Sequence, residues 1–533
     1  MKKRTILFGF IFTLFSQVSA QDNFDYSITL KPITIDNFPG LHSYAFGQHG
    51  NKWVLIGGRK DGLHARQPFA SFPKSENNTN IFVLDISAKK VWSAPISVLP
   101  KSLYEQLQST NMNFHQIEDT LYIIGGYGYS DSKQDHITYP NLTTVIVSDL
   151  IDDVINGNSI LGNFKQIEDS VFAVCGGQLS HLNNSLYLVG GQNFTGRYNP
   201  MGHNTYVQSY TNEIRTFHVM NKNNTLNYSN YKAMNDPVHL RRRDYNLLPQ
   251  IYPDGSKGLM ISSGVFQSTA DLPFLYPVDI DSSGYSPRTS FNQYLSHYHS
   301  ARASLFDSST NTMHMLFFGG MSQYFYDDTA LVKDDKVPFV NTISRLTRNS
   351  SGVMKEFQLS EQMPALIGAS SEFIANEVLL DSDAEIILLK PNDPDSLLIG
   401  HIVGGIYSPS TNPFSSNSTG TTKAHETIYE VILTKNAVNS SKPIDGQNPY
   451  LTKILPNPAH NHIGVQLNTN GSHKVNYFIS NVVGQVLQSG TFQKVSGKTT
   501  NTIDLDESIS SQQLIVTLVI DSKFFITESI LKY

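Results

Sequence analysis

The chain has 533 residues, a formal net charge of −6 and only 16% charged residues, with 11% aromatic residues. On a prior of roughly 100 to 200 residues per domain it can hold more than one domain. Beyond Lys2-Lys3-Arg4 at its start, its only basic cluster is Arg241-Arg242-Arg243, so no basic stripe marks a nucleic-acid partner. Cys175 is the sole cysteine, which excludes an intramolecular disulfide and leaves packing and sheet closure to hold the fold.

The first twenty residues open with Lys2-Lys3-Arg4, continue as an apolar run from Ile6 to Phe15 and end on Val18-Ser19-Ala20. A basic start, an apolar stretch too short to cross a bilayer with ease and small residues before Gln21 predict a secretory signal peptide over residues 1–20. No later segment is apolar enough to serve as a transmembrane anchor of the mature chain.

Asp25 to Ile35 alternates as a strand does. From Asn51 to Trp92 an apolar run (Trp53 to Ile56) ends on Gly57-Gly58, and after a polar excursion a second run (Ile81 to Ile86) leads to Trp92. A glycine pair after an apolar strand marks a positive φ or a close backbone approach. The pattern returns at Gly125-Gly126, Gly190-Gly191, Gly319-Gly320 and Gly404-Gly405, and in degraded form at Gly264. Units too small to bury their own apolar face and repeated at intervals of tens of residues define a repeat architecture, here all-β.

The order of apolar strand, Gly-Gly, variable loop, Asn80-Ile-Phe-Val-Leu-Asp85 and Trp92 resembles the kelch repeat. That resemblance implies a six-bladed β-propeller over residues 21–435, with blades at 42–100, 111–169, 170–233, 238–294, 296–367 and 369–434. Later blades keep the glycines and a following strand but lose the tryptophan, since only Trp53 and Trp92 exist. Closing such a ring predicts that the strand near Asp25 to Ile35 pairs with the strand ending near Leu433, because an open ring leaves two bare edges. The longest insertions follow the glycine pairs in successive repeats, so they project from one face, where recognition is expected.

Residues 436–450 are polar, with two prolines and a glycine, and read as a linker. Beyond them, residues 451–533 show short alternating strands, enough for a small β-sandwich. Pro456-Asn457-Pro458, Asn481-Val-Val-Gly-Gln-Val486 and the ending Ile530-Leu-Lys532 resemble the C-terminal sorting domain of the type IX secretion system, although the usual segment before the penultimate strand is replaced by Ser510-Ser-Gln-Gln-Leu514. The resemblance implies the type IX machinery as a partner, export from a Gram-negative, Bacteroidetes-type bacterium, and an address in the medium or on the outer cell surface.

Candidate ligand-binding residues come from the loops and from the starts of inner strands. Arg59 and Arg66 in the first loop and Arg197 beside Tyr198 in the third combine guanidinium with aromatic rings, a mixture that suits sugars. Arg241, Arg243 and Asp244 are read as part of one strand, with Arg241 and Arg243 on one face and Arg242 and Asp244 on the other, suited either to clamping a carboxylate or sulfate or to an Arg-Asp pair tying neighbouring blades. His297 and His299 share a face by the same alternation, followed by Arg302, but no third metal ligand falls at a usable spacing. Tyr298-His299 with Cys175 resembles part of the galactose oxidase copper site, whose remaining motif is missing here. No metal or cofactor is therefore expected. Nucleophile elbows, phosphate-cradling loops and zinc spacings do not occur. The reading is a secreted binding module for glycans or a protein partner without catalysis. Its alternative is a carbohydrate-active enzyme, either an epimerase or mutarotase similar to small kelch proteins acting on sialic acid, or a copper oxidase.

Overall fold

The computed structural model describes residues 24–199, 205–222, 225–381, 385–435 and 441–533. The expected signal peptide lies outside these residues. Six sheets follow one another along the chain, each built on a four-stranded antiparallel core; the fifth is widened to six strands by Ile387–Leu389, parallel to Ala301–Asp307 on one edge, and by Lys442–Ile444 on the other. The first runs through Ala45–His49, Lys52–Ile56, Asn80–Asp85 and Lys90–Pro95. The next four begin at Asn113–Ile117, Gln178–Leu182, Asn246–Ile251 and Ala301–Asp307. In the sixth, Glu372–Ala375, Ser396–Val403 and Ile428–Lys435 are completed by Tyr26–Ile33 from the start of the chain. Ile28 stands opposite Leu433, the pairing expected from the sequence.

Neighbouring sheets are joined at two backbone positions. Ser43, Asn111, Gly176, Asp244, His299 and Ser370 each lie two residues before the first strand of a sheet. Each donates its amide to the carbonyl of the one before it, and Ser43 donates to Ser370, so the six bonds of 2.8 to 3.1 Å form a closed cycle. Ser43, Asn111, Asp244 and Ser370 adopt φ between 51° and 56°, the left-handed region that turns each amide toward its neighbour. The second joint uses the glycine pairs. Gly126 donates to the Val174 carbonyl of the following sheet, and Gly405 donates to Leu41, back at the first. A Cβ at Gly125 would overlap the Val174 carbonyl oxygen, and one at Gly404 the Leu41 carbonyl oxygen. Ser263 replaces the first glycine in the fourth sheet and still takes φ 52°.

The loops after the second and third glycine pairs carry structure of their own. Tyr127–Ser130, Asp135–Thr138, Gln192–Gly196 and Tyr206–Tyr210 form one further four-stranded sheet across two repeats. A helix that the sequence reading omitted, Val147–Asn156, buries Val147, Leu150, Ile151 and Val154 in the core shared by the first two sheets.

The expected linker 436–450 is corrected in part. Lys442–Ile444 is a strand on the outer edge of the fifth sheet, with Ile444 opposite Glu356 and buried. Pro443 is compatible because an edge strand can spare its amide. Beyond it, a bent hairpin of His462–Asn481 and Val486–Asp504, with Thr452–Leu455, Gln512–Ile520 and Phe524–Lys532, encloses a separate apolar core. Among the described residues no helix is long and apolar enough to cross a membrane.

Gly404→Ala combines a left-handed φ of 66° with a blocked Cβ position, whereas Gly50 (φ 58°) has open space around it. Gly404→Ala is expected to destabilise the chain by about 2–4 kcal/mol in urea unfolding, and Gly50→Ala by only about 1 kcal/mol; equal losses would show that the sheet-to-sheet contact is not limiting.

Candidate functional site

The cycle of six amides makes a neck, and a cavity lies on each side of it. The smaller cavity, about 360 Å³, opens on the side of the glycine-pair loops. Its floor includes Ser43, Asn111, Asp244, His299 and Ser370, five of the six residues of the cycle. Its walls come from the insertions: Phe72, Tyr198, Phe266 and Phe414 line it with His64. The His64 ring stacks on Phe72 at 5.4 Å and meets Tyr198 and Phe414 edge-on at 4.9 and 5.5 Å. Tyr127 and Phe194 extend this wall from the additional sheet.

Four of the eight residues singled out from the sequence line this cavity: Arg59, Arg243, Asp244 and His299. Both of its guanidiniums already have partners. Arg59 grips Asp61 through Nε (2.8 Å) and Nη2 (2.5 Å), bonds Asn77 Oδ1 at 2.9 Å and is 3% exposed. Arg243 Nη1 pairs with Asp244 Oδ2 at 2.9 Å, its Nε donates to the Tyr210 hydroxyl at 3.2 Å, and its Cζ lies 4.4 Å from the Phe266 ring centre. At the rim, Asp271, Asp335 and Lys336 are exposed charges. The cations and carboxylates expected at such a mouth, for an anionic or polyhydroxylated ligand, are paired with one another here: the wall is aromatic and its buried charges are balanced.

The strand geometry expected for 241–244 is also corrected. The strand begins at Asn246, so side chains do not alternate before it. Arg242 is fully buried between Phe274 and Tyr276, at 4.2 and 4.5 Å from their ring centres, and donates to the carbonyls of His239, Ser263 and Tyr276. Arg241 turns away from the cavity, lies over Tyr210 at 3.7 Å and bonds the Phe266 carbonyl. Arg66, over Phe414 at 5.5 Å, and Arg197, bonded to the Ser71 carbonyl at 2.8 Å, brace the loops outside the cavity wall.

Arg302 faces the other cavity, which holds about 790 Å³. Glu372, 3% exposed, lines this larger cavity and touches His299 of the smaller one. Its Oε1 lies 3.1 Å from His299 Nε2 and its Oε2 3.2 Å from Arg302 Nη1, while Arg302 Nη2 donates to Gln178 Oε1 at 3.0 Å. Burial would raise the Glu372 carboxyl, but His299 and Arg302 outweigh it and hold it below its ordinary value. Below the neck His115 Nε2 and His181 Nδ1 meet at 2.7 Å, one donating and one accepting.

His297 does not share a face with His299. It is fully buried, accepts from the Gln323 amide at Nδ1 (3.0 Å) and donates from Nε2 to the Gln293 carbonyl (3.1 Å). Among the described residues no group of three or more His, Cys, Asp or Glu side chains is placed to hold a metal. Cys175 is buried with Sγ 3.6 Å from Thr138 Oγ1, and burial pushes its thiol up to about 12, so it is protonated and unreactive at neutral pH. The sequence reading missed Phe72, Phe266 and Phe414. Each sits in a different loop, half-buried, and nothing local in the sequence distinguishes it from other loop aromatics.

Residues 453–510 match the family described as Secretion system C-terminal sorting domain. The C-terminal part of the chain is thus a type IX secretion sorting domain. The protein is secreted through that machinery and resides in the medium or at the outer surface of a Gram-negative, Bacteroidetes-type bacterium. Its turn is built as the motif requires: Asn481 Oδ1 accepts from the amides of Val483 and Gln485, and Gly484 has φ 81°. No curated protein matches the chain. A solved structure described as "Structure of YjhT" is similar at 11% identity and a TM-score of 0.40, covering 75% of this chain and 99% of that one. At that level the similarity carries no argument.

Burial pulls the His297 imidazole down from 6.5 to about 4. Above pH 6.5 the ring is neutral in both states; between pH 6.5 and 4 the unfolded chain takes up a proton that the folded chain refuses. Stability is therefore expected to fall across that window, by up to about 3 kcal/mol from this residue alone at pH 4. An NMR titration of the His297 ring checks this, with a midpoint below pH 5 expected and one near 6.5 contradicting it.

Proposed function

We propose that the chain is a secreted six-bladed kelch-type β-propeller, residues 21–435, carrying a removable sorting domain over 451–533, and that it acts as a glycan-binding module without catalysis. The propeller reading is supported by two sets of backbone bonds that pass from sheet to sheet and return from the sixth to the first. The binding reading rests on one observation: the cavity on the elaborated face is walled by Phe72, Tyr198, Phe266 and Phe414, while its guanidiniums are already neutralised by Asp61 and Asp244. Aromatic faces pack against the C–H faces of sugars, and the paired Arg and Asp still offer spare donors and acceptors to hydroxyls. A volume of about 360 Å³ accommodates one or two sugar rings. The ligand class that fits is a neutral glycan rather than an acidic one, because an anion would have to displace Asp61 or Asp244.

A second reading is a sugar epimerase or mutarotase. It is favoured by the His299–Glu372 couple, a hydrogen-bonded imidazole and carboxylate at the cavity floor that could exchange a proton with a bound sugar.

Screening immobilised neutral and acidic glycans separates these outcomes. Binding of a neutral oligosaccharide is expected, changing less than about twofold between low and high salt, because no net charge is neutralised. Phe414→Ala should weaken it at least about tenfold. Preference for acidic glycans with a steep salt dependence would overturn the neutral-ligand assignment. Accelerated anomerisation that is lost in His299→Gln would replace the binding module by the enzyme.

A further inference from the structure

The segment leading into the third strand of the fourth sheet, Val278–Asp281, carries an aromatic surface that no ligand site uses. Phe274 and Tyr276 flank the buried Arg242, which fixes both rings from behind. What covers this surface is the sorting domain. Phe525 is 3% exposed and lies 4.8 Å from the Tyr276 ring and 5.8 Å from Phe274. Val519 is buried beside it, and both belong to the same continuous apolar cluster as Leu240, Tyr187 and Val278 of the six-sheet body. Interfaces between domains of one chain are usually more polar than this.

Directional bonds set the register of the contact. His239, 3% exposed, links Tyr276 OH through Nδ1 (2.7 Å) to Thr517 Oγ1 through Nε2 (3.3 Å). Gln267 Nε2 donates to the Ser522 carbonyl at 2.9 Å, and Asn448 Nδ2 to the Thr289 carbonyl at 3.0 Å. The turn at Gly484 sits against Asn235, where a Cβ would overlap the Asn235 carbonyl. The connection adds a second anchor: Lys442–Ile444 pairs with the outer strand Met354–Gln362 of the fifth sheet, downstream of residues 436–440. A cut between Lys435 and Lys442 would leave both anchors on the sorting domain's side intact.

We infer that the six-sheet body and the sorting domain form a built, non-covalent pair, so that cutting the chain between Lys435 and Lys442 does not release the sorting domain. The partner that fits the Phe274–Tyr276 surface is the sorting domain itself. Its covered face is then withheld from the secretion machinery. The end left open is the one where Asn457 bonds the terminal strand at Ser529 and Leu531, beside the exposed Leu455, Leu531 and Tyr533. Release therefore needs a step beyond proteolysis, one that opens the aromatic seat.

The test places a site-specific protease sequence at 436–440 of the full chain and follows the completely cut protein by gel filtration at about 1 μM. Co-elution is expected, corresponding to a Kd below about 1 μM. Separate elution of two folded pieces would overturn the proposal. Phe525→Ser should raise Kd at least about tenfold, whereas Leu531→Ser, on the open end, should leave it unchanged; the reverse order contradicts the assigned face. If Phe525→Ser unfolds the sorting domain by circular dichroism, the milder pair Gln267→Ala and Thr517→Val decides instead. Weaker association is expected of that double variant, and unchanged association refutes the seat.

Discussion

The closed cycle of amides through Ser43, Asn111, Gly176, Asp244, His299 and Ser370 is the constraint on which the rest of the structure depends. Each bond contributes only about 1 kcal/mol net, yet a buried amide left without a partner costs more than that. Breaking one link strands a donor and an acceptor together, so the six sheets share one geometry. Because the linking residues stand two positions before each first strand, the cycle also sets where every inner strand starts. The backbone of the cycle thus fixes where the cavity floor lies and where Asp244 and His299 stand in it, while side chains from the outer loops build the walls.

That division separates what must be rigid from what can vary. A Cβ at Gly125 or Gly404 would strike a neighbouring carbonyl, and the left-handed positions of the neck hold Ser, Asn or Asp, small residues that tolerate that backbone. The loops leaving the same positions extend outward, and two of them pair into a sheet of their own. They bring Tyr127, Phe194 and Tyr198 to one wall and keep them there by ring-on-ring packing. Buried charge follows the same economy: Arg59, Arg242 and Arg243 each meet a carboxylate, a set of carbonyls or aromatic faces within the protein. An unpaired guanidinium in such surroundings would be costly.

Much of this was legible along the chain. The glycine pairs marked the ends of second strands, and the alternation from Asp25 to Ile35 marked the strand that completes the sixth sheet. The helix Val147–Asn156 was also readable, with apolar residues at 147, 150, 151 and 154 and Gly157 in the left-handed position that ends it; the strand-rich context hid it. Arg241 to Asp244 misled because alternation was applied outside a strand. In an irregular segment the direction of each side chain depends on the partner it finds, and Arg242 found the carbonyls of a neighbouring turn. Lys442–Ile444 misled for a related reason, since a polar, proline-bearing stretch becomes a strand only where an open sheet edge is waiting.

The sequence by itself determined the all-β class, the repeat and the secretion address, because each is written in spacings of a few residues: period-two alternation, glycine pairs, and the Pro-Asn-Pro and Asn-x-x-Gly motifs. Only the tertiary structure decided which loops form the cavity, that His299 and Arg302 share Glu372, and that Phe525 closes an aromatic seat beside the fourth sheet. Those outcomes join residues tens to hundreds of positions apart, and no local spacing carries the distance or direction between them.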